Sequence, residues 1–198
     1  MELHNIDMSK IEEFDTIKKS LFSIISTSVL YKDKKVFVFF IKNGKAGGFI
    51  NNAKTQKHLK TMHDIAKDCA KKTVLTKAVD VSIMETLRPR HAQVFTQSIV
   101  DMAVSTRENN EYLILSAGGD GTSWEIQEIL MQNIVKNKKT AKILKEQMTF
   151  VQLALGTGND GAEGKTLREG LDILVKGKSF EHKKALRVVA NKDMPEFG

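Results

Sequence analysis

Apolar strand-like runs alternating with helix-patterned segments predict an α/β protein, a doubly wound, mostly parallel sheet with helices on both faces. Three observations carry this reading. The run Val36-Phe37-Val38-Phe39-Phe40-Ile41 is apolar without interruption, which suits a central strand covered on both faces. Glycine-rich turns at 116–122 and 155–160 each follow an apolar run, and open α/β sheets bind ligands where such turns leave the strand ends. Ahead of the first strand, an extra N-terminal amphipathic helix is predicted within a 1–34 extension.

In that extension Met8, Ile11, Phe14, Ile17, Leu21, Ile24 and Ile25 recur at three- and four-residue steps, the mark of one apolar helix face. Packing on the sheet is its expected fate, because Lys10, Lys18 and Lys19 are too sparse for strong attraction to anionic lipid. A membrane-surface helix and homo-oligomer formation are the alternatives. Beyond the first strand, 54–71 reads as a helix, 77–86 as a strand, 90–105 as a helix, 111–117 as a strand, 123–136 as a helix and 148–155 as a strand. The basic segment 137–147 is longer than a simple connection and has room for an additional helical turn or two. Thr166-Leu167-Arg168-Glu169 reads as a capping box, Gly177 as a helix stop and 184–190 as a last strand.

The 198 residues, 41% hydrophobic and 28% charged, have the composition of a globular chain able to bury one sizeable core. A formal net charge of +7 suits anionic partners such as nucleotides or acidic lipid headgroups. Nucleic acid is not expected as a partner, since the aromatic residues lie in apolar runs rather than between basic ones; the lysines at 71–72 and 136–145 read as solvated faces. Cys69 is the only cysteine, which rules out an intrachain disulfide and suggests packing in a reducing compartment. No stretch reaches the about 18 continuous apolar residues of a membrane span, so the expected location is cytoplasmic, with membrane contact peripheral at most. His4, His58, His63, His91 and His182 are scattered without ligand spacing, and no transition-metal site is expected.

The turn Ser116-Ala117-Gly118-Gly119-Asp120-Gly121-Thr122 joins a strand to a helix N-terminus, whose first N–H groups have no internal acceptor and favour an anion. The glycines allow close approach to phosphate oxygens. Asp120 places a negative charge in the same turn, which is compatible with phosphate if a divalent cation screens it or if the carboxylate polarises a hydroxyl during transfer. Phosphoryl transfer follows as the chemistry. Thr122-Ser123-Trp124-Glu125 also reads as a capping box, with Thr122 capping the helix and Glu125 reaching back. The second loop, Leu155-Gly156-Thr157-Gly158-Asn159-Asp160, ends the next strand in the same manner.

These two loops resemble those of the diacylglycerol kinase catalytic domain, the fold of bacterial lipid kinases, sphingosine kinases and ceramide kinases, with NAD kinases as distant relatives. The run Val36 to Ile41 followed by Lys42-Asn43-Gly44-Lys45-Ala46-Gly47-Gly48 resembles that family's first strand and loop, and Thr86-Leu87-Arg88-Pro89-Arg90-His91-Ala92 its second strand end; all four segments stand in the family's order. The resemblance covers residues 35–190, with 191–198 as a tail leading toward a second, mostly β domain. This chain departs from the pattern at Gly44 and Ala46, where the family has proline and serine, and at Trp124, where the usual residue is small or polar. Gly161 and Glu163 depart from it too.

The resemblance implies an ATP-dependent lipid kinase with ATP and Mg2+ as cofactors and diacylglycerol as the expected acceptor. In it Asp120 is the catalytic residue and metal ligand, and Gly118, Gly119, Gly121 and Thr122 hold the phosphates. Asn43, Thr86, Glu125, Gly156, Thr157, Asn159 and Asp160 line the nucleotide. It also implies that acceptor-binding groups and the general base sit in the second domain, so little lipid phosphorylation is expected from the 198 residues alone. An NAD kinase-like enzyme and a non-catalytic nucleotide-binding module are the alternative readings.

Overall fold

The computed structural model describes residues 8–106, 108–156, 160–162 and 164–177. Strands β1 (Lys35–Asn43), β2 (Ala78–Thr86), β3 (Glu111–Ala117) and β4 (Met148–Gln152) form one sheet in the order β2-β1-β3-β4, and every neighbouring pair is parallel. Among the described residues six helices accompany them: α1 (Met8–Ser26), α2 (Asn52–Cys69), α3 (His91–Ser105), α4 (Asp120–Lys136), α5 (Lys138–Gln147) and α6 (Leu167–Lys176). A 3₁₀ turn, Val29–Tyr31, links α1 to β1.

The continuous apolar character of β1 has a direct cause. Val36, Val38 and Phe40 join a core with Ile17, Leu21 and Ile24 of α1, residues of α2 and Leu171 and Leu174 of α6. Phe39 and Ile41 point the other way, into a core with Ala92 and Ile99 of α3 and Ile126 of α4. Each face of the sheet is thus covered, and neither set of alternating residues reaches water.

Helix α1 is a layer of that core. Ile17, Leu21, Ile24 and Ile25 are buried completely or nearly so. At about 1.5–3 kcal/mol per buried aliphatic side chain, their gross contribution is comparable with the net stability of a whole domain. Cys69 lies in the same core.

Four local readings of the sequence are corrected. Helix α4 starts at Asp120, with Gly119 in extended conformation as its N-cap, so Thr122 lies inside the first turn and does not cap it. Strand β4 ends at Gln152 instead of continuing to 155, because the Leu155 N–H turns back to the Leu153 carbonyl at 2.8 Å. The segment after α4 is a full ten-residue helix, started by the Asn137 side chain, which accepts from the N–H groups of Lys139 and Thr140. At α6, Thr166 caps as expected, but Glu169 accepts from the N–H of Lys165 rather than that of Thr166. Gly177 ends α6 in the left-handed region at φ 63°. The expected strand at 184–190 and the tail at 191–198 lie outside the described residues. Among the described residues, no helix is long and apolar enough to cross a membrane.

Candidate functional site

The chain leaves β1 for β2 on one side and later places β3 on the other, so the topological switch point falls between the C-terminal ends of β1 and β3. Asn43, the last residue of β1, spans that gap. Its Nδ2 donates to Thr122 Oγ1 at 3.1 Å, and its Oδ1 accepts from the Lys45 N–H at 3.0 Å. One side chain therefore fixes the loop after β1 and the first turn of α4 together. A cleft of about 280 Å³ opens there, lined by Asn43, Lys45, Thr86, Arg88, Gly121, Thr122 and Glu125 among others. Two cations and a helix N-terminus face this space, which makes it suited to an anion.

The glycine-rich loops interlock. A β-carbon on Gly118 would lie 2.5 Å from Thr122 Oγ1, one on Gly156 2.4 Å from the Gly119 Cα, and one on Gly48 2.3 Å from the Leu155 carbonyl oxygen. Gly48 N–H donates to that same oxygen at 2.9 Å. Gly48 and Gly156 let the loops after β1, β3 and β4 touch backbone to backbone, and Gly118 makes room for the Thr122 side chain. Gly121 differs, since a β-carbon there meets nothing within 4 Å. Its open side faces the cleft.

Asp120 opens α4 on the far side of Gly121. Its Oδ1 accepts from Gln152 Nε2 at 2.8 Å, and Gln152, 2% exposed at the end of β4, holds the carboxylate in place. A second cleft of about 470 Å³ lies here, lined by Asp120, Gly121, Trp124, Gln127, Gln152, Asp160 and Gly161. The clefts share Gly121, so a group bound in one lies beside a group bound in the other. Ser116 and Ser123 pair their hydroxyls at 2.8 Å beneath the turn and tie β3 to α4.

Glu125 does not reach back along its own helix. Its Oε1 accepts from the Arg90 N–H at 2.9 Å and its Oε2 from the Ala92 N–H at 3.2 Å, so it caps α3 across the cleft. Arg90 is held in the left-handed region at φ 62° as the N-cap of α3, and that conformation aims its N–H at Glu125.

Behind Asn43 lies a buried charge cluster. Lys42 is 4% exposed; its Nζ sits 2.6 Å from Glu13 Oε1 on α1 and 3.5 Å from Glu85 Oε1 on β2. The rings of Phe14 and Phe49 flank the ammonium, with centroids 5.3 and 4.9 Å away. Lys10 also pairs with Glu85. Helix α1 is thereby fastened to the penultimate residues of β1 and β2, one position before Asn43 and Thr86. Nearby, His58 lies beside Gly48; burial, reinforced by Lys57 and Lys54, lowers its pKa from the ordinary value.

No group of three or more metal-ligating side chains gathers among the described residues. Asp120 alone, with nucleotide phosphates, is the kind of set by which Mg2+ is held in phosphotransferases. The donor chemistry fits that ion.

A family model for the diacylglycerol kinase catalytic domain matches residues 38–190. The chain belongs to that family. No curated protein matches it closely enough to add a nearer relative. In this family member, the sequence-predicted residues divide between the clefts. Asn43, Thr86, Gly121, Thr122 and Glu125 line the smaller one, and Asp120, Gly121 and Asp160 the larger one. Gly118, Gly119 and Gly156 form the seam between loops, while Thr157 and Asn159 lie outside the described residues. Gln152 was given no role in the sequence, and Lys42 stood there only as the start of the first loop. The signal was a lone polar residue beside an apolar run, Lys42 after Ile41 and Gln152 between Val151 and Leu153.

Proposed function

We propose that this kinase-family chain is the nucleotide-binding part of an ATP-dependent lipid kinase that transfers the γ-phosphoryl group to a lipid hydroxyl, with diacylglycerol the first acceptor to test. The observation that supports it is the pair of clefts meeting at Gly121, one facing cations and a helix N-terminus, the other holding Asp120. The nucleotide phosphates lie in the smaller cleft against Gly121, Thr122, Lys45 and Arg88. Mg2+, when bound, neutralises charge on the transferring phosphoryl group and is held by Asp120 and the phosphates. Gln152 keeps the Asp120 carboxylate aimed at that junction, and Asn43 keeps the two loops in register. Catalysis of this kind is mostly positioning, and the chain supplies it through fixed backbone and two side-chain tethers.

The test is transfer of label from γ-labelled ATP, with Mg2+, into diacylglycerol in mixed micelles or into NAD+. Label in the lipid, however slow, that Asp120→Asn abolishes is expected. Label entering NAD+ instead contradicts the lipid reading.

A further inference from the structure

Helix α4 carries an exposed line that starts at the wall of the Asp120 cleft and runs away from it. Trp124 is 67% exposed and Val135 61% exposed. They are eleven residues apart, which on an α-helix is about 16 Å along the axis and within about 20° of the same direction. Met131, partly exposed, falls on the line between them.

The line runs into a basic face. Val135, Lys136, Asn137, Lys138 and Lys139 are consecutive and all exposed. Along α5, Lys138, Lys142 and Lys145 share one exposed side, opposite the buried Thr140 and Leu144. Among the described residues, Lys136, Lys138, Lys139 and Lys145 make no ion pair, and Lys142 reaches Glu146 only at 4.0 Å. The other acids beside the line are Glu128, turned to Gln93 and Gln132, and Asp120, one turn before Trp124 and held by Gln152. Five lysines thus stand over three acids beside an apolar edge that starts at a cleft wall, because Trp124 lines the cleft of Asp120.

We propose that the outer face of α4 and α5 docks on an anionic lipid bilayer, lysines against the headgroups and Trp124 at the interface beside the cleft mouth. This rests on the lipid reading above and names the surface it uses. Charge complementarity selects the occupant: each lysine near an anionic surface contributes about 1 kcal/mol, screened by salt, and an aromatic ring anchors at the headgroup level. The docked orientation sets Asp120 next to the surface from which an acceptor alcohol would come.

Trp124 is the only tryptophan of the chain, so its emission reports this contact without a label. Full-length protein is titrated with vesicles of phosphatidylcholine mixed with phosphatidylserine, and with phosphatidylcholine alone. Expected are a blue shift and quenching by brominated lipid with the anionic vesicles only, reversed by salt. The variant Lys138→Glu/Lys139→Glu/Lys142→Glu should lose at least about a hundredfold in vesicle affinity, while its ATP affinity and melting temperature stay unchanged. Unaltered Trp124 emission with anionic vesicles, equal binding to neutral vesicles, or salt-sensitive binding to a single-stranded oligonucleotide alone would each overturn the proposal. Because ATP affinity is read on the same samples, failure of membrane docking is distinguishable from failure of the nucleotide assignment.

Discussion

A β-carbon added at Gly118 and one added at Gly121 meet opposite surroundings, although both glycines belong to one turn. Gly118→Ala forces Thr122 and Asn43 apart, and about 1–3 kcal/mol of destabilisation is expected in a urea melt. Gly121→Ala meets open space, so its stability should stay within about 1 kcal/mol of the parent, the size of the helix preference for alanine over glycine. Its ATP affinity should nevertheless fall at least tenfold, since the added methyl occupies the place assigned to phosphate. Equal losses of affinity and stability would make Gly121 a folding glycine. Across the cleft, Glu125→Ala strips two N–H groups at the start of α3 of their acceptor and should cost about 1–3 kcal/mol. Arg90→Gly removes the left-handed cost of about 1–2 kcal/mol and should leave stability unchanged or raised. At this scale the sequence shows which residue types gather, because a turn dense in glycine around one aspartate is costly in chain entropy unless a ligand or a close backbone approach requires it. It does not show their partners: Glu125 obeys the spacing of a capping box, yet a neighbouring helix offers its two N–H groups and wins the carboxylate.

Helix α1 shows how an element outside the family match bears on the site. The Lys42 ammonium keeps one close partner, Glu13, and a more distant one, Glu85. Glu13→Ala should therefore cost about 1–3 kcal/mol, less than the ~3–5 kcal/mol of a fully unpaired buried charge, because Glu85 stays beside the ammonium. The double variant Glu13→Gln/Lys42→Met should recover most of that loss, because Glu85 retains Lys10 and the sulfur chain fits between Phe14 and Phe49. Urea midpoints of the parent, single and double variants check both statements. A double variant no more stable than Glu13→Ala would mean that the cluster acts through packing alone. The amphipathic period of α1 and the continuous apolar run of β1 were legible, since each reports burial on a known side. The ends were not. Where β4 stops and α4 begins depends on backbone hydrogen bonds made by glycine and leucine, residues that fit a strand end and a loop equally well.

For the molecule as a whole, the alternation of strands and helices predicts a doubly wound sheet without fixing the order β2-β1-β3-β4. That order places the two glycine-rich loops and the loop after β1 in one cluster. Burial makes the stability depend on pH in a predictable sense. It pushes the Tyr31 phenol from 10.0 up to about 12, outweighing the opposing effect of Thr149. The folded state thus binds that proton more tightly than the unfolded chain. Its contribution is complete below pH 10 and is lost as pH rises to about 12, a loss of about 2–3 kcal/mol that Tyr31→Phe should remove in urea melts. His58 works at the other end: its folded pKa is lowered, so its contribution is present above 6.5 and is lost as pH falls below that value.

Binding of ATP with Mg2+ in the switch-point cleft, through the turn at 118–122, is read by isothermal calorimetry of the folded chain with ATP. Saturable binding that requires Mg2+ and weakens at least tenfold in Asp120→Asn, whose amide oxygen still accepts from Gln152, and in Gly121→Ala, with both variants folded, is the predicted result. Absence of heat at millimolar ATP with Mg2+ in a folded sample, or binding that neither substitution alters, would contradict it.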